Sequence, residues 1–305
     1  MNIEFRIPIA PTLGFFGQVE FFNFCLRRLG GIYTEAKINV YVGENFKIGE
    51  AIKQNSWSND YNVEWKAVPE QIFNKYDMYG TANWRYNDKT EAKVVIQSDA
   101  DTVLVRDIDD VIRQIDIPFP AIAGHNAHSP PETKGTILPE STSDRYWPEI
   151  FRIFNIEWPK ELHQYSMDAE GLLPKIPPYF NLGFVAMNPL ALEILGRKID
   201  EVHERLTSVT ESFMRCQIGL TLVSQREKFK IITLGAEYNM SNDSTHQKLN
   251  HKKREDFRVI HYLRTAELDR SKIYDPDYVN GLSDTMNNDA NSVIVPLLKE
   301  WHYQR

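Results

Sequence analysis

Two carboxylates one residue apart, Asp99 and Asp101, close an apolar run in VVIQSDADTVLV, residues 94–105. A strand that delivers acidic side chains at its C-terminal end puts them where open α/β sheets bind ligands. On extended chain both side chains lie on one side. Such a pair suits a hard divalent cation, which prefers oxygen ligands and keeps positions open for a diphosphate. The plainer reading is two solvated carboxylates capping the next helix. His261, in VIHY (259–262), read alone is more often a satisfied core or surface residue than a ligand. Arg85, in TANWRY (81–86), can bind a phosphate or a sugar, or sit on a helix surface. Asn181, two residues before Gly183, can bond a ligand hydroxyl or shape a turn. His125 and His128 stand three apart in a polar segment without a clear third ligand, so no metal is assigned to them.

The surrounding pattern must position these groups. Short apolar runs at 5–10, 38–42, 63–68, 94–97 and 121–123 read as strands. Residues 16–29 carry apolar side chains at 19, 22, 26 and 29, a helical spacing stopped by Gly30 and Gly31. Residues 81–86 and 107–115 read as helical, the latter with acidic residues in its first turn. Residues 124–178 show no sustained periodicity and read as a long irregular segment, the kind that forms lids or binding loops. Regular patterning resumes with strands at 184–187 and 229–233, helices at 190–206 and 213–224, and a last strand at 259–262. Strands separated by helices predict an α/β fold with a mainly parallel sheet. No repeat or flexible linker is visible, so one domain is expected over 1–305. Its first part, to about 105, reads as a nucleotide-type half, and 106–305 as the second half.

Composition narrows the classes. The chain has 305 residues, 42% hydrophobic and 25% charged, values of a globular protein rather than a disordered one. Its formal net charge of −7 lacks the basic footprint of a nucleic-acid binder. Any phosphate must be held by a few placed groups or a metal ion. Two cysteines, Cys25 and Cys216, make neither a disulfide framework nor a four-cysteine zinc site. The start, MNIEFRIPIAPTLGFF, has no basic segment followed by an uninterrupted apolar run, so no signal peptide is expected. No apolar stretch is long enough to span a membrane. A cytoplasmic location is expected, with peripheral membrane contact open through the apolar tail SVIVPLLKEWHY (292–303); a packed terminal segment broken by Pro296 is the simpler reading. The run HKKRED (251–256) reads as solvated and self-paired.

The D-x-D stretch resembles two families. Asp99, Asp101 and Val103 fit the first motif of haloacid-dehalogenase-like phosphatases, in which Asp99 would be a covalent nucleophile. That family carries the motif on its first strand, whereas several elements precede it here. The second resemblance is to metal-dependent nucleotide-sugar glycosyltransferases of the GT-A fold, and it extends over residues 80–265. PYFNLGF (178–184) resembles the Y-F-N-x-G motif of the retaining group that contains glycogenin and bacterial lipopolysaccharide galactosyltransferases. Cys216-Gln217 stands where that group has D-Q, LGAEYN (234–239) resembles its L-x-x-x-[WY]-N segment, and VIHY its closing I-H-[YF]. Arg85 stands at the place of a donor-binding arginine.

That resemblance implies a GT-A-like (Rossmann-like) α/β domain, Mn²⁺ or Mg²⁺ held by Asp99, Asp101 and His261, and a nucleotide-sugar donor, UDP-sugar first and GDP-sugar second. It implies donor contacts from Arg85, Ser98, Asp99, Ala100, Asp101, Asn181, Leu182, Gly183, Cys216 and Arg264. The acceptor would be a glycan or a lipid-linked sugar. Tyr146, Trp147, Trp158 and Tyr165 suit sugar faces, and equally suit packing. After its histidine the family has Gly at plus three and Lys at plus six; here these are Arg264 and Glu267. Arg264 is the residue that can replace the lysine's charge. An inverting reaction needs a protein base, and residues 212–225 contain no acid, which leaves Glu211 as the close candidate. The expectation is retention, with Gln217 under the anomeric carbon and Asp101 as the second catalytic residue. A non-catalytic carbohydrate-binding protein on the same fold is the remaining alternative.

Overall fold

The computed structural model describes residues 2–43, 47–76, 78–133, 135–168, 170–266, 268–283 and 288–305. Seven strands make the main sheet: β1 (Ile3–Ile9), β2 (Lys37–Val42), β3 (Val63–Ala67), β4 (Val94–Ser98), β6 (Ala121–Asn126), β7 (Phe180–Met187) and β8 (Lys230–Thr233). Their order is β3-β2-β1-β4-β7-β6-β8. β7 runs antiparallel to both its neighbours, β4 and β6, and the other pairings are parallel. A second sheet of three short strands is ordered β5 (Thr102–Leu104), β10 (Val259–His261), β9 (Met240–Ser241). The mainly parallel α/β domain expected from the patterning is the one found.

Helices bury apolar stripes on both faces of the main sheet. The helix Leu13–Arg28 starts at Thr12, whose hydroxyl accepts the Phe15 N–H, and places Phe16, Val19, Phe22 and Leu26 against Phe5, Ile7, Ile38 and Val40. Gly30 and Gly31 follow it at φ 68° and 57°, a left-handed turn that L side chains resist. On the opposite face, helices Pro189–Thr207 and Arg215–Arg226 pack Leu192, Leu195, Ile199 and Leu222 against Val95, Ile122, Val185 and Met187.

The structure corrects three expectations. Residues 124–178 are not irregular throughout: β6 extends to Asn126, and Tyr146–Ile153 is a helix. Of its aromatics, Tyr146, Trp147 and Tyr165 are core and Trp158 is half-buried against it. Tyr146 and Trp147 are buried, the Trp147 indole N–H donates to the Tyr165 hydroxyl at 3.0 Å, and Trp147 packs on Tyr179 with ring centroids 5.0 Å apart. Trp158 packs on Phe151. The tail is a helix, Asp289–Gln304, that continues through Pro296. Pro296 is exposed, so the Ser292 carbonyl it leaves unbonded can be solvated. Ile294, Leu298 and Trp301 are buried with Phe21 and Tyr262, which makes the tail a packed segment. Residues 251–256 pair partly outside themselves, Lys252 with Glu237 and Arg254 with Asp289.

Candidate metal and donor site

The site begins where β4 ends. The two carboxylates do not lie on extended chain: residues 99–101 form a turn between β4 and β5. Ser98 Oγ and Thr102 Oγ1 lie 2.6 Å apart, and Thr102 Oγ1 donates to the Asp99 carbonyl at 2.9 Å. These hydroxyls tie the turn. Ser98 Oγ also contacts the Gly183 carbonyl at 3.3 Å, and the Ala100 carbonyl accepts from the Tyr262 hydroxyl at 3.4 Å. Ser98 and Ala100 are therefore buried supports of the turn, with side chains turned into the fold.

The small sheet brings the third group. β10 pairs antiparallel with β5 so that His261 faces Thr102, and the Tyr262 N–H donates to the Asp101 carbonyl at 2.9 Å. His261 Nε2 then lies 3.2 Å from Asp101 Oδ1 and 4.0 Å from Asp99 Oδ2. Among the described residues, Asp99, Asp101 and His261 form the one group whose ligand atoms, three from His, Cys, Asp or Glu, all fall within 4.8 Å of one another. Two carboxylates and an imidazole are a donor set that fits Mn²⁺ or Mg²⁺.

The orientation of His261 follows from a backbone N–H. Gly183 N–H donates to Asn181 Oδ1 at 2.8 Å, which fixes that atom as an oxygen. Asn239 Nδ2 donates to the same oxygen at 3.0 Å, so Asn239 presents Oδ1 to His261 Nδ1, 3.1 Å away. His261 Nδ1 therefore carries hydrogen, which leaves Nε2 as the atom able to ligate a metal, an arrangement typical of metal-bound histidines. Gly183 is required by close approach. A Cβ there would fall 2.3 Å from His261 Nδ1.

Charges converge on the turn. Arg270 is ion-paired to Asp101 Oδ2. Arg85, just past the helix Met78–Trp84, is fully buried, with Nη1 3.9 Å from Asp99 Oδ1. Its Nε and Nη1 have no hydrogen-bond partner. Arg6 on β1, itself paired with Glu4 at 2.6 Å, donates to the carbonyls of Arg85 and Asp88 and so pins the backbone that carries Arg85. Burial and the Asp101 charge push the Asp99 carboxyl up. Burial also works to raise Asp101, but His261 and Arg270 outweigh it and hold that carboxyl at about 2. Burial works against protonated His261, and the two carboxylates overcome it, so its affinity for a proton is raised.

The remaining sequence candidates sort by place. Asn181, Leu182 and Gly183 border the triad, and Gln217 locks onto them: its Oε1 accepts the Leu182 N–H at 3.3 Å and its Nε2 donates to the Tyr179 hydroxyl at 3.2 Å. Leu182 is packed in the core. Cys216 is buried, and burial pushes its thiol up to about 11, so it is no base at neutral pH. Glu211 is exposed and lies against Gly135. Arg264 pairs with Asp243 at 2.9 Å on the surface. Glu267 lies outside the described residues. Asn239, Arg270 and Arg6 were missed as site residues. Asn239 had a signal in LGAEYN; the two arginines reach the site across more than 75 residues and have no local one.

No family model matches the chain, and no curated protein matches it by sequence. Solved structures do. The galactosyltransferase LgtC in complex with donor and acceptor sugar analogues aligns over 100% of both chains at 12% identity, with a TM-score of 0.56. An active-site mutant of LgtC, glutamine to glutamate, aligns over 87% of this chain and 88% of that one at 12% identity and a TM-score of 0.54. The glycosyltransferase GlyE of Streptococcus pneumoniae aligns over 99% of this chain and 64% of its own at 14% identity and a TM-score of 0.51. The chain has the GT-A glycosyltransferase fold.

Proposed function

We propose that the protein is a metal-dependent glycosyltransferase that moves a sugar from a nucleoside-diphosphate donor to a hydroxyl of a glycan or lipid-linked acceptor. The observation that carries this reading is the Asp99–Asp101–His261 triad at the carboxyl edge of β4 within a GT-A fold. Asp99, Asp101 and His261 Nε2 would hold Mn²⁺ or Mg²⁺, which when bound acts as a Lewis acid toward the departing diphosphate. Asn239 keeps the imidazole in its ligating tautomer. Arg85 presents two unbonded donor atoms from a buried guanidinium, suited to a donor phosphate or sugar hydroxyl. Arg270 offers an exposed charge beside Asp101, and takes the part earlier considered for Arg264.

Retention of configuration is part of the proposal. The helix Arg215–Arg226 contains no carboxylate, Cys216 is held protonated, and Glu211 is exposed against Gly135. The leaving phosphate would accept the acceptor's proton, with the Gln217 carboxamide beside the anomeric carbon. UDP-sugar is the first donor to try and GDP-sugar the second. Both cysteines are free and buried, which suits a cytoplasmic protein. Among the described residues, no helix is long and apolar enough to cross a membrane. The dehalogenase-like alternative loses its support, because its motif belongs on the first strand of another fold and here follows β4.

The test is a thermal-shift and calorimetric screen of nucleoside diphosphates with and without Mn²⁺ or Mg²⁺. One nucleotide should bind only with metal, and Asp101→Asn and His261→Ala should lose that binding while keeping the wild-type circular dichroism. Metal-dependent hydrolysis of the matching nucleotide sugar without acceptor would separate a transferase from a mere binder. Absence of binding by every nucleotide tried would sink the reading.

A further inference from the structure

β1 lies inside the main sheet, between β2 and β4, yet one of its faces is charged. Phe5 and Ile7 pack with the helix Leu13–Arg28, while Glu4 and Arg6, on the other face by the strand's period of two, are buried at 4% and 1% exposure. Arg6 pairs in register with Asn39, and Tyr41 with Lys66, so the polar strip continues over β2 and β3. Farther along the same face the sheet carries Val95, Ile122, Val185 and Met187. A buried ion pair is often no more stable than apolar side chains of similar volume, so stability alone does not account for Glu4 and Arg6.

What covers the strip does account for them. Residues 85–93 join the helix Met78–Trp84 to β4 without helix or strand, so their buried carbonyls need donors from elsewhere. Arg6 supplies two: Nη1 donates to the Arg85 carbonyl and Nη2 to the Asp88 carbonyl at 2.9 Å, while Nε donates to Glu4 Oε1 at 2.6 Å. Glu4 is held in turn by the Asn39 amide at 2.8 Å and the Thr90 hydroxyl at 2.7 Å. Asp88 Oδ2 accepts from the Tyr41 hydroxyl at 2.9 Å and the Lys66 ammonium at 2.7 Å. The segment is thus fastened to three strands at Arg85, Asp88 and Thr90. A planar guanidinium fork can serve two carbonyls and a carboxylate at once, which the point charge of a lysine does not match.

The residue at the head of the fastened segment is the one with unused donors. Arg85 is fully buried, its Nη1 stands 3.9 Å from Asp99 Oδ1, and its Nε and Nη1 lack hydrogen-bond partners. Such a group serves a ligand only where its backbone is held, and misplacing a binding group by about 1 Å can cost about 100-fold. We propose that Arg6, backed by Glu4, is a positioning residue for donor binding and acts through Arg85. This rests on the reading of Arg85 as a donor-binding residue given above.

The experiment is calorimetry on the full chain as wild type, Arg6→Met, Arg85→Ala and the double variant. Each is titrated with Mn²⁺ alone and, in saturating Mn²⁺, with UDP, or with GDP where UDP does not bind. Arg6→Met should weaken the nucleotide by about ten-fold or more, the scale of one charge-assisted bond lost at Arg85, and leave Mn²⁺ affinity unchanged. In the Arg85→Ala background the same change should weaken the nucleotide no further, because the group it positions is gone. A merely structural role would lower affinity in both backgrounds. Equal losses in both, a parallel loss of Mn²⁺ affinity, or no loss in the wild-type background overturns the proposal. If Arg6→Met, which strands the Glu4 charge, does not fold, Arg6→Lys is read in its place. It keeps the charge without the fork and should give the same pattern with a smaller loss. A wild type that binds no nucleotide, or an Arg85→Ala variant that binds it as wild type does, overturns the underlying reading instead.

Discussion

At the residue scale, the site is a chain of fixed roles that starts from one backbone N–H, that of Gly183, and ends at His261 Nε2. Removing the middle link should therefore cost metal before it costs fold. Asn239→Ala is expected to weaken Mn²⁺ binding by about 10–100-fold. Calorimetry beside a thermal melt checks this, and equal affinity would show that the relay has no role. Arg270 makes the opposite kind of prediction. Its guanidinium competes with a cation for Asp101, so Arg270→Gln should bind Mn²⁺ alone at least as well as wild type but bind the nucleotide diphosphate less well, by about ten-fold for one lost charge-assisted bond. Parallel losses of both would reject the competition. His261 sets a pH dependence. Its folded proton affinity is raised above the ordinary 6.5, so its stabilising pairing with Asp101 is complete below 6.5 and fades as pH rises through the higher folded value. Metal-free protein should lose melting temperature in that window while Mn²⁺ affinity grows, because the proton no longer competes. Melts with chelator and with Mn²⁺ across pH 6–9 (about that range suffices) would show the two curves diverging.

At the element scale, the decisive device is the three-stranded sheet, which carries His261 across 160 residues to Asp101. What the sequence made legible were groups flagged by neighbours: two acids after an apolar strand, an asparagine before a glycine, a histidine in a closing apolar segment. Arg270 carries no such flag, since only the chain after β10 brings it to the turn. The helix Tyr146–Ile153 did have a pattern, with buried side chains at 146, 147, 150 and 151. Pro148 and the irregular flanks concealed it, although proline is tolerated in a first helical turn. Burial of Tyr146, Trp147 and Tyr165 also takes the acceptor-side reading away from them. Gly183 gives this scale its test. Gly183→Ala should force β7 and β10 apart at His261, costing about 1–3 kcal/mol of stability. It should also abolish metal-dependent nucleotide binding. Chemical denaturation and calorimetry read the two effects, and a variant with wild-type nucleotide affinity would mean that the imidazole need not sit where it does.

At the scale of the whole molecule, a net charge of −7 sets the terms on which a diphosphate can bind. The protein's far field repels such an anion, so affinity must come from a few short-range cationic groups within a largely buried site. Arg85, fully buried, Arg270 beside Asp101 and a metal ion held by the triad would be those groups. Two consequences follow, and together they separate this arrangement from a diffuse basic surface. Interactions of a buried site are screened little by salt, so nucleotide affinity in saturating Mn²⁺ should change only modestly between low salt and about 0.15 M, where the Debye length is about 8 Å. Chelator, by contrast, should abolish it. The fold itself should survive chelation, because Asp101 already has His261 and Arg270 as counter-ions and Asp99 has Arg85 3.9 Å away. The expected record is therefore a free-protein melting temperature that chelator leaves nearly unchanged, and a nucleotide-induced stabilisation, rising with ligand excess over its dissociation constant, that chelator removes entirely. Nucleotide binding that persists in chelator, or that falls steeply with salt, would place the affinity on the surface and not on Asp99, Asp101 and His261.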